Sequence, residues 1–184
     1  MPRYIAFLRG MNLGRRRIKM DALRALFAAL GFDDVATFIA SGNVLFTAKS
    51  RDEAKLARQI EQHLRDSLGY EVPTFLRTRT ELAAALAFEP FPVTETSAAA
   101  NIIHVGFWRE APSTATAGQL RTIRTEADAF AVNGREFYWR CRIPTHESKV
   151  WALPAMKALK LPPATLRSIT MLRRLAAEFP APAA

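Results

Sequence analysis

The sequence predicts an α+β protein made of two ferredoxin-like, split βαβ subdomains, and three observations lead there. Strand and helix signals in the N-terminal half follow the order strand-helix-strand, strand-helix-strand. The C-terminal half runs through the same plan. Short stretches also match between the halves at similar offsets, as an internal duplication requires. The expected subdomains are residues 1–92 and 100–180, joined through the Thr-, Ser- and Ala-rich stretch Thr94–Ala100.

Tyr4–Leu8 is a short apolar run ended by Arg9-Gly10, which reads as a strand. Met20, Leu23, Leu26, Phe27 and Leu30 recur at helical spacing, and Gly31 supplies the stop. Val35–Ala40 and Val44–Thr47 are β-prone runs joined at Ser41-Gly42-Asn43, a hairpin turn by composition. Leu56, Ile60, Leu64 and Leu68 form an i, i+4 stripe that starts near Ser50-Arg51-Asp52 and closes at Gly69. Pro73–Thr78 reads as a fourth strand, and Leu82 and Leu86 as a short helix ended by Glu89-Pro90-Phe91-Pro92. Apolar residues fall on both faces of the first strand, so both faces should be covered.

In the second half, Asn101–Trp108 is strand-like and Ala117–Glu126 helix-like. Ala129–Val132 and Glu136–Arg142 are strands around Asn133-Gly134, a strong hairpin signal. A helix is expected over Glu147–Lys160, kinked or split by Pro154. The stretch Leu76-Arg77-Thr78-Arg79-Thr80-Glu81-Leu82 lines up with Leu166-Arg167-Ser168-Ile169-Thr170-Met171-Leu172, and Leu23-Arg24-Ala25-Leu26 with Leu120-Arg121-Thr122-Ile123.

The composition of the 184-residue chain is globular, at 49% hydrophobic and 23% charged, which argues against wholesale disorder. Its formal net charge is +9, carried mostly by Arg. The single Cys141 excludes an intramolecular disulfide and a cysteine-built zinc site, and suits a reducing cytoplasm. No signal peptide and no membrane helix is expected, because the run after Arg3 ends at Leu8 and no other segment is long enough. The expected molecule is cytoplasmic, a monomer or homodimer, without a membrane partner.

His63, His104 and His146 belong to no metal-ligand spacing, so no metal is expected. Gly10–Lys19 matches neither the P-loop nor the dinucleotide fingerprint, and Ser41 sits in no nucleophile elbow. Cys141, in a strand alternating Phe137, Trp139 and Cys141, reads as a packed core thiol. No catalytic residue and no cofactor is assigned, and whether there is catalysis stays open.

The residues Leu8-Arg9-Gly10-Met11-Asn12-Leu13-Gly14, then Lys19-Met20, Leu23-Arg24 and Leu30-Gly31, then Ser41-Gly42-Asn43-Val44 resemble the signature of the bacterial domain-of-unknown-function family 1697. The resemblance extends along the whole chain. Val72–Thr78 resembles that family's central strand, and Thr165–Met171 its C-terminal Thr-x-Arg-Asn-Trp-x-Thr segment. There Ser168, Ile169 and Met171 stand in place of the Asn, the Trp and the second Thr. The resemblance implies two ferredoxin-like subdomains and no particular activity.

Split βαβ topology brings the loop after the first strand, the turn between the second and third, and the start of the first helix to one end of the sheet. That end collects Arg9, Asn12, Arg15–Arg17 and Lys19 with Ser41, Gly42 and Asn43, while Arg77 belongs at the other. A cationic, amide-rich cluster without a general base suits a phosphate or carboxylate, the group of a small anionic metabolite. In that role Arg9 gives a bidentate contact, Lys19 a point charge, and Asn12, Ser41 and Asn43 orienting hydrogen bonds. A purely structural reading stands beside it: Gly10, Gly42 and Asn43 shape turns, and Arg9 pairs with Asp33 or Asp34.

A second candidate is the strand Glu136–Arg142, where alternation puts Tyr138, Arg140 and Arg142 on one face. Aromatic and Arg side chains on a sheet face are how ferredoxin-like RNA binders hold single strands, although the RNP1 pattern is absent. A module for single-stranded RNA, and an interaction module without a ligand, are therefore the alternatives to the anion site.

Overall fold

A computed structural model describes residues 1–14, 16–39, 42–91 and 102–180; Arg15, Ser41 and the expected linker Thr94–Ala100 lie outside them. The chain divides into two compact units, Met1–Leu82 with Phe179, and Ala83–Glu178.

The first unit runs β1 (Arg3–Leu8), α1 (Met20–Ala29), β2 (Asp33–Phe38), β3 (Asn43–Thr47), α2 (Glu53–Leu68) and β4 (Thr74–Thr78), followed by α3 (Arg79–Ala87). Its antiparallel sheet has the order β2-β3-β1-β4, the split βαβ arrangement. Tyr4, Ala6 and Leu8 on one face of β1 join Leu23 and Phe27 of α1 and Leu56, Ile60 and Leu64 of α2 in one core. Ile5 and Phe7, on the other face, are also fully buried. Both faces of β1 are covered, as its unbroken apolar run requires.

Local chemistry sets the element ends. The Asp52 carboxylate accepts from Lys55 N at 2.8 Å to start α2, and Gly69, with φ +77°, ends it in the left-handed region. Thr78 and Glu81 form a reciprocal capping box at α3: Thr78 N donates to Glu81 Oε2 at 2.8 Å, and Glu81 N to Thr78 Oγ1 at 3.2 Å.

The second unit repeats the plan with β5 (Ile102–Trp108), α4 (Thr114–Thr122), β6 (Asp128–Asn133), β7 (Glu136–Cys141), a 3₁₀ turn at Val150–Ala152, α5 (Pro154–Ala158), β8 (Ala164–Ser168) and α6 (Ile169–Glu178). Its sheet order, β6-β7-β5-β8, is that of the first unit shifted by four strands. The sequence match at Leu76-Arg77 and Leu166-Arg167 falls at equivalent places on β4 and β8. In both, the Arg Nη1 donates to the preceding Leu carbonyl, at 2.7 Å and 2.9 Å. Leu23 and Leu120, the other matched pair, are each fully buried on the first helix of their unit.

Two elements differ from the sequence reading. The helix expected over Ala117–Glu126 is α4, which starts earlier because Ser113 Oγ accepts from Thr116 N. It stops earlier because Ile123 is extended and Arg124 bridges to Ala129. The helix expected over Glu147–Lys160 is split at Pro154 as the sequence reads, but is shorter: a 3₁₀ turn at Val150–Ala152 precedes α5, which Pro154 begins where its missing N–H costs nothing.

Gly106 sits opposite Phe137 in the β5–β7 pair, and the ring fills the place of the absent Cβ, with Phe137 Cε1 2.0 Å from that point. At Gly118, inside α4, nothing lies within 4 Å of the same point. Gly106→Ala should therefore lower stability by about 1–3 kcal/mol or more through overpacking. Gly118→Ala should raise it by roughly 0.5–1 kcal/mol. Urea unfolding midpoints of the two variants check the contrast, and equal shifts would refute the packing argument.

Candidate functional site

The end of β1 is gripped from both sides. Leu8 N donates to Gly42 O at 2.8 Å on the β2–β3 turn, and Arg9 N donates to Pro73 O at 2.9 Å ahead of β4. The loop beyond β1 then folds over the turn: Met11 is buried, and a Cβ on Gly42 would stand 2.9 Å from Met11 Cγ and 3.1 Å from Leu8 Cβ. With φ +74° as well, position 42 takes glycine for two independent reasons. The two polar loops do come to the same end of the sheet. Arg77 pairs with Ile5, toward the opposite end of β1.

The polar side chains at this end fall into two groups. Asn43 is fully buried and its Nδ2 donates to Phe38 O at 3.1 Å, so its amide braces the hairpin. Asn12, at φ +54°, accepts from Ile18 N at 2.9 Å through Oδ1, which closes the 12–18 loop. Neither amide is placed as the orienting contact that the sequence suggests; short polar side chains in tight loops tend to bond their own backbone. Ser41 lies outside the described residues.

The cations stay outside. Arg9 is exposed, and Asp34, one of the acids considered as its partner, accepts from Thr47 Oγ1 instead. Arg16 is exposed too, its guanidinium 4.6 Å from the centre of the Tyr70 ring. Lys19 is exposed at the start of α1 and its carbonyl accepts from Leu23 N at 3.0 Å. A cleft of about 280 Å³ opens between Arg9, Gly10 and Arg16 on one side and Glu71 and Pro73 on the other. Glu71 and Pro73 were missed by sequence reasoning, although antiparallel pairing of the first and last strands puts the start of β4 beside the end of β1.

The second candidate face is covered. Tyr138 is fully buried, its hydroxyl donating to Ala85 O at 2.7 Å and its ring 5.0 Å from Phe88. A base cannot stack on it. Arg140 is 7% exposed, with its guanidinium 5.5 Å from the Phe91 ring centre, whereas Arg142 is exposed. Alternation separates the two faces correctly but does not say which is open to solvent.

On the other face of the same hairpin, a buried carboxylate that no motif flags organises the loops. Asp128 accepts from Trp139 Nε1 at 2.8 Å, Ser148 Oγ at 2.9 Å and Thr125 Oγ1 at 2.7 Å. Cys141 is fully buried, its thiol donates to Ile143 O, and burial pushes its pKa up. It is a core thiol. No group of three or more His, Cys, Asp or Glu among the described residues could hold a metal ion.

These geometries define an α+β protein of two ferredoxin-like units, with a cationic cleft at one sheet end of the first. The chain belongs to a family of proteins of unknown function (DUF1697), whose model matches residues 1–138. It is also similar to the solved structure of the conserved bacterial protein SP0830 from Streptococcus pneumoniae. That match has 20% sequence identity and a TM-score of 0.72, over 97% of this chain and 98% of that one. At this identity the likeness speaks for the fold alone. A comparison with curated proteins gives no match. No helix among the described residues is long and apolar enough to cross a membrane.

His104, the half-buried histidine of β5, lies 5.4 Å from Trp139 ring to ring, and its Nδ1 is buried without a hydrogen-bond partner among the described residues. Burial holds its pKa below the usual 6.5. The unfolded chain then takes up this proton more readily, so stability should fall as pH drops through about 6.5. Urea midpoints measured from pH 7.5 to 5 should show this slope, and His104→Gln should flatten it. A variant with the same slope as the parent would remove His104 as its source.

Proposed function

We propose that this chain binds a small anionic ligand, of the phosphorylated-metabolite class, in the cleft at the end of β1. The observation that carries the reading is the placement of two exposed guanidinium-bearing residues, Arg9 and Arg16, around one cleft beside the left-handed Gly10. Guanidinium groups match the geometry of phosphate oxygens, and a charged bond here needs no desolvation of a buried ion. Gly10 leaves the backbone approachable, because its nearest neighbour, Arg16 Nη1, is 3.7 Å from the place a Cβ would take. Lys19 adds positive charge at the start of α1.

Glu71 gives the cleft a polarity. Its exposed carboxylate, 3.9 Å from Arg65 Nη1, lines the cleft and favours a ligand with a hydrogen-bond donor, such as a sugar hydroxyl, away from its phosphate. Asn12 and Asn43 act here by shaping the loops. The reading is of binding, and no reaction step is assigned.

The test is calorimetric titration with inorganic phosphate and a hexose phosphate. A charged hydrogen bond contributes about 1.5–3 kcal/mol, so Arg9→Ala and Arg16→Ala should each weaken binding roughly tenfold or more, with unchanged melting temperature. Asn43→Ala should instead lower the melting temperature. Binding whose amide NMR shifts at the Gly10 loop survive the loss of both arginines, or no binding by the parent protein, would end the proposal.

A further inference from the structure

The second unit has a larger cleft of its own, of about 390 Å³, at its edge strand β6. Its wall includes Arg121 from the last turn of α4, Arg124 from the segment that bridges to Ala129, and Arg140 from β7. Ala129, Ala131 and Phe91 contribute apolar lining. We propose that this cleft is a binding site for a ligand that joins a phosphate to a planar ring, the chemistry of a nucleoside monophosphate.

Charge is the first support. Three guanidinium-bearing residues line one cleft, with no acidic side chain among the described residues that line it. Glu126 and Asp128 follow Arg124 in sequence but do not line the cleft; Asp128 points to the other face of the hairpin, where Trp139, Ser148 and Thr125 occupy its oxygens. Arg121 gives one N–H to Val132 O at 2.8 Å, which anchors a fork that carries five donors in all. Arg140 is held among apolar groups; burial first, and Arg142 second, pull its pKa down. An anion beside it would offset both effects.

The ring follows from the apolar side of the cleft. Phe91 already lies 5.5 Å from the Arg140 guanidinium, a cation–π pair that fixes one edge of a slot above the alanine methyls. Phe91 keeps 9% of its surface exposed and Ala131 is half-buried, so a bare phosphate leaves the apolar part of the cleft unfilled, and the volume falls at the small end of the roughly 300–1,000 Å³ typical of ligand pockets. A flat base stacked on Phe91, with its phosphate among the arginines, uses both halves of the site.

Adenosine monophosphate is the probe, titrated into the full chain beside adenosine and inorganic phosphate, with amide NMR shifts to locate it. The expected result is that the nucleotide binds at least tenfold more tightly than either fragment and shifts the signals of Arg124 and residues 129–131. Arg124→Ala should weaken it roughly tenfold or more, and Phe91→Ala should weaken the nucleotide but leave phosphate binding unchanged. A nucleotide's phosphate also suits the cleft at β1, so each site is read by its own signals: Arg9→Ala should abolish any shifts at the Gly10 loop and leave those of Arg124 and residues 129–131 in place. Equal affinity for adenosine, loss of the Arg124 and 129–131 shifts on Arg9→Ala, or shifts confined to the Gly10 loop would overturn the proposal. If Arg124→Ala unfolds the chain, the shift map of the parent protein decides alone.

Discussion

The pairing of β1 on both edges is the constraint from which the first unit is built. The strand bonds β3 on one side and β4 on the other and is buried on both faces, so every position from Tyr4 to Leu8 is out of water. A buried backbone must satisfy its N–H and C=O groups internally, which forces the ladder to continue to the last residue before the loop. At that point the bonds from Leu8 N to Gly42 O and from Arg9 N to Pro73 O hand the strand over to two turns at once. The cationic cleft exists because the chain has to leave this crowded corner, and the first side chain free to reach solvent is that of Arg9.

The second unit satisfies the same constraint with different side chains. Its central strand β5 carries Gly106, whose missing side chain lets Phe137 lie flat against the backbone, and Trp108 packs 4.7 Å from that ring. A cluster of Phe130, Phe137, Trp139 and Trp151 then fills the helix side. In the first unit the corresponding space holds Tyr4, Phe27, Phe32 and Phe46. Equal strand order with unlike cores is what a duplicated fold looks like after each copy has repacked at roughly constant volume. The two clefts do not occupy corresponding places either: one opens at the end of the central strand of its sheet, the other along an edge strand.

The net charge of +9 acquires a meaning from position. Arginines are scattered along the sequence, yet Arg9 and Arg16 share one cleft and Arg121, Arg124 and Arg140 another. Elsewhere the same residue type does structural work, as Arg77 does on β4, where it is 1% exposed and bonds the Leu76 carbonyl. Counting cations in a sequence therefore overstates the surface charge available to any partner.

Element order, the Asn133-Gly134 hairpin, the break at Pro154 and the limits of α2 at Asp52 and Gly69 were all determined by the sequence itself. Each rests on local chemistry: turn residues, caps and the period of apolar positions act within a few residues of one another. The convergence of the β1 loop with the Gly42 turn was legible too, because strand order dictates it. The tertiary structure alone decided which polar groups remain available. Asn12 and Asn43 look like ligand contacts in sequence, but in the fold Asn12 Oδ1 accepts from Ile18 N and the buried Asn43 Nδ2 donates to Phe38 O. Tyr138 looks like a stacking platform until Ala85 and Phe88 cover it. Arg121, Arg124 and Arg140 come from three separate elements, and no local pattern joins them. Exposure is a property of everything packed around a side chain, so it is settled only when distant parts of the chain have met.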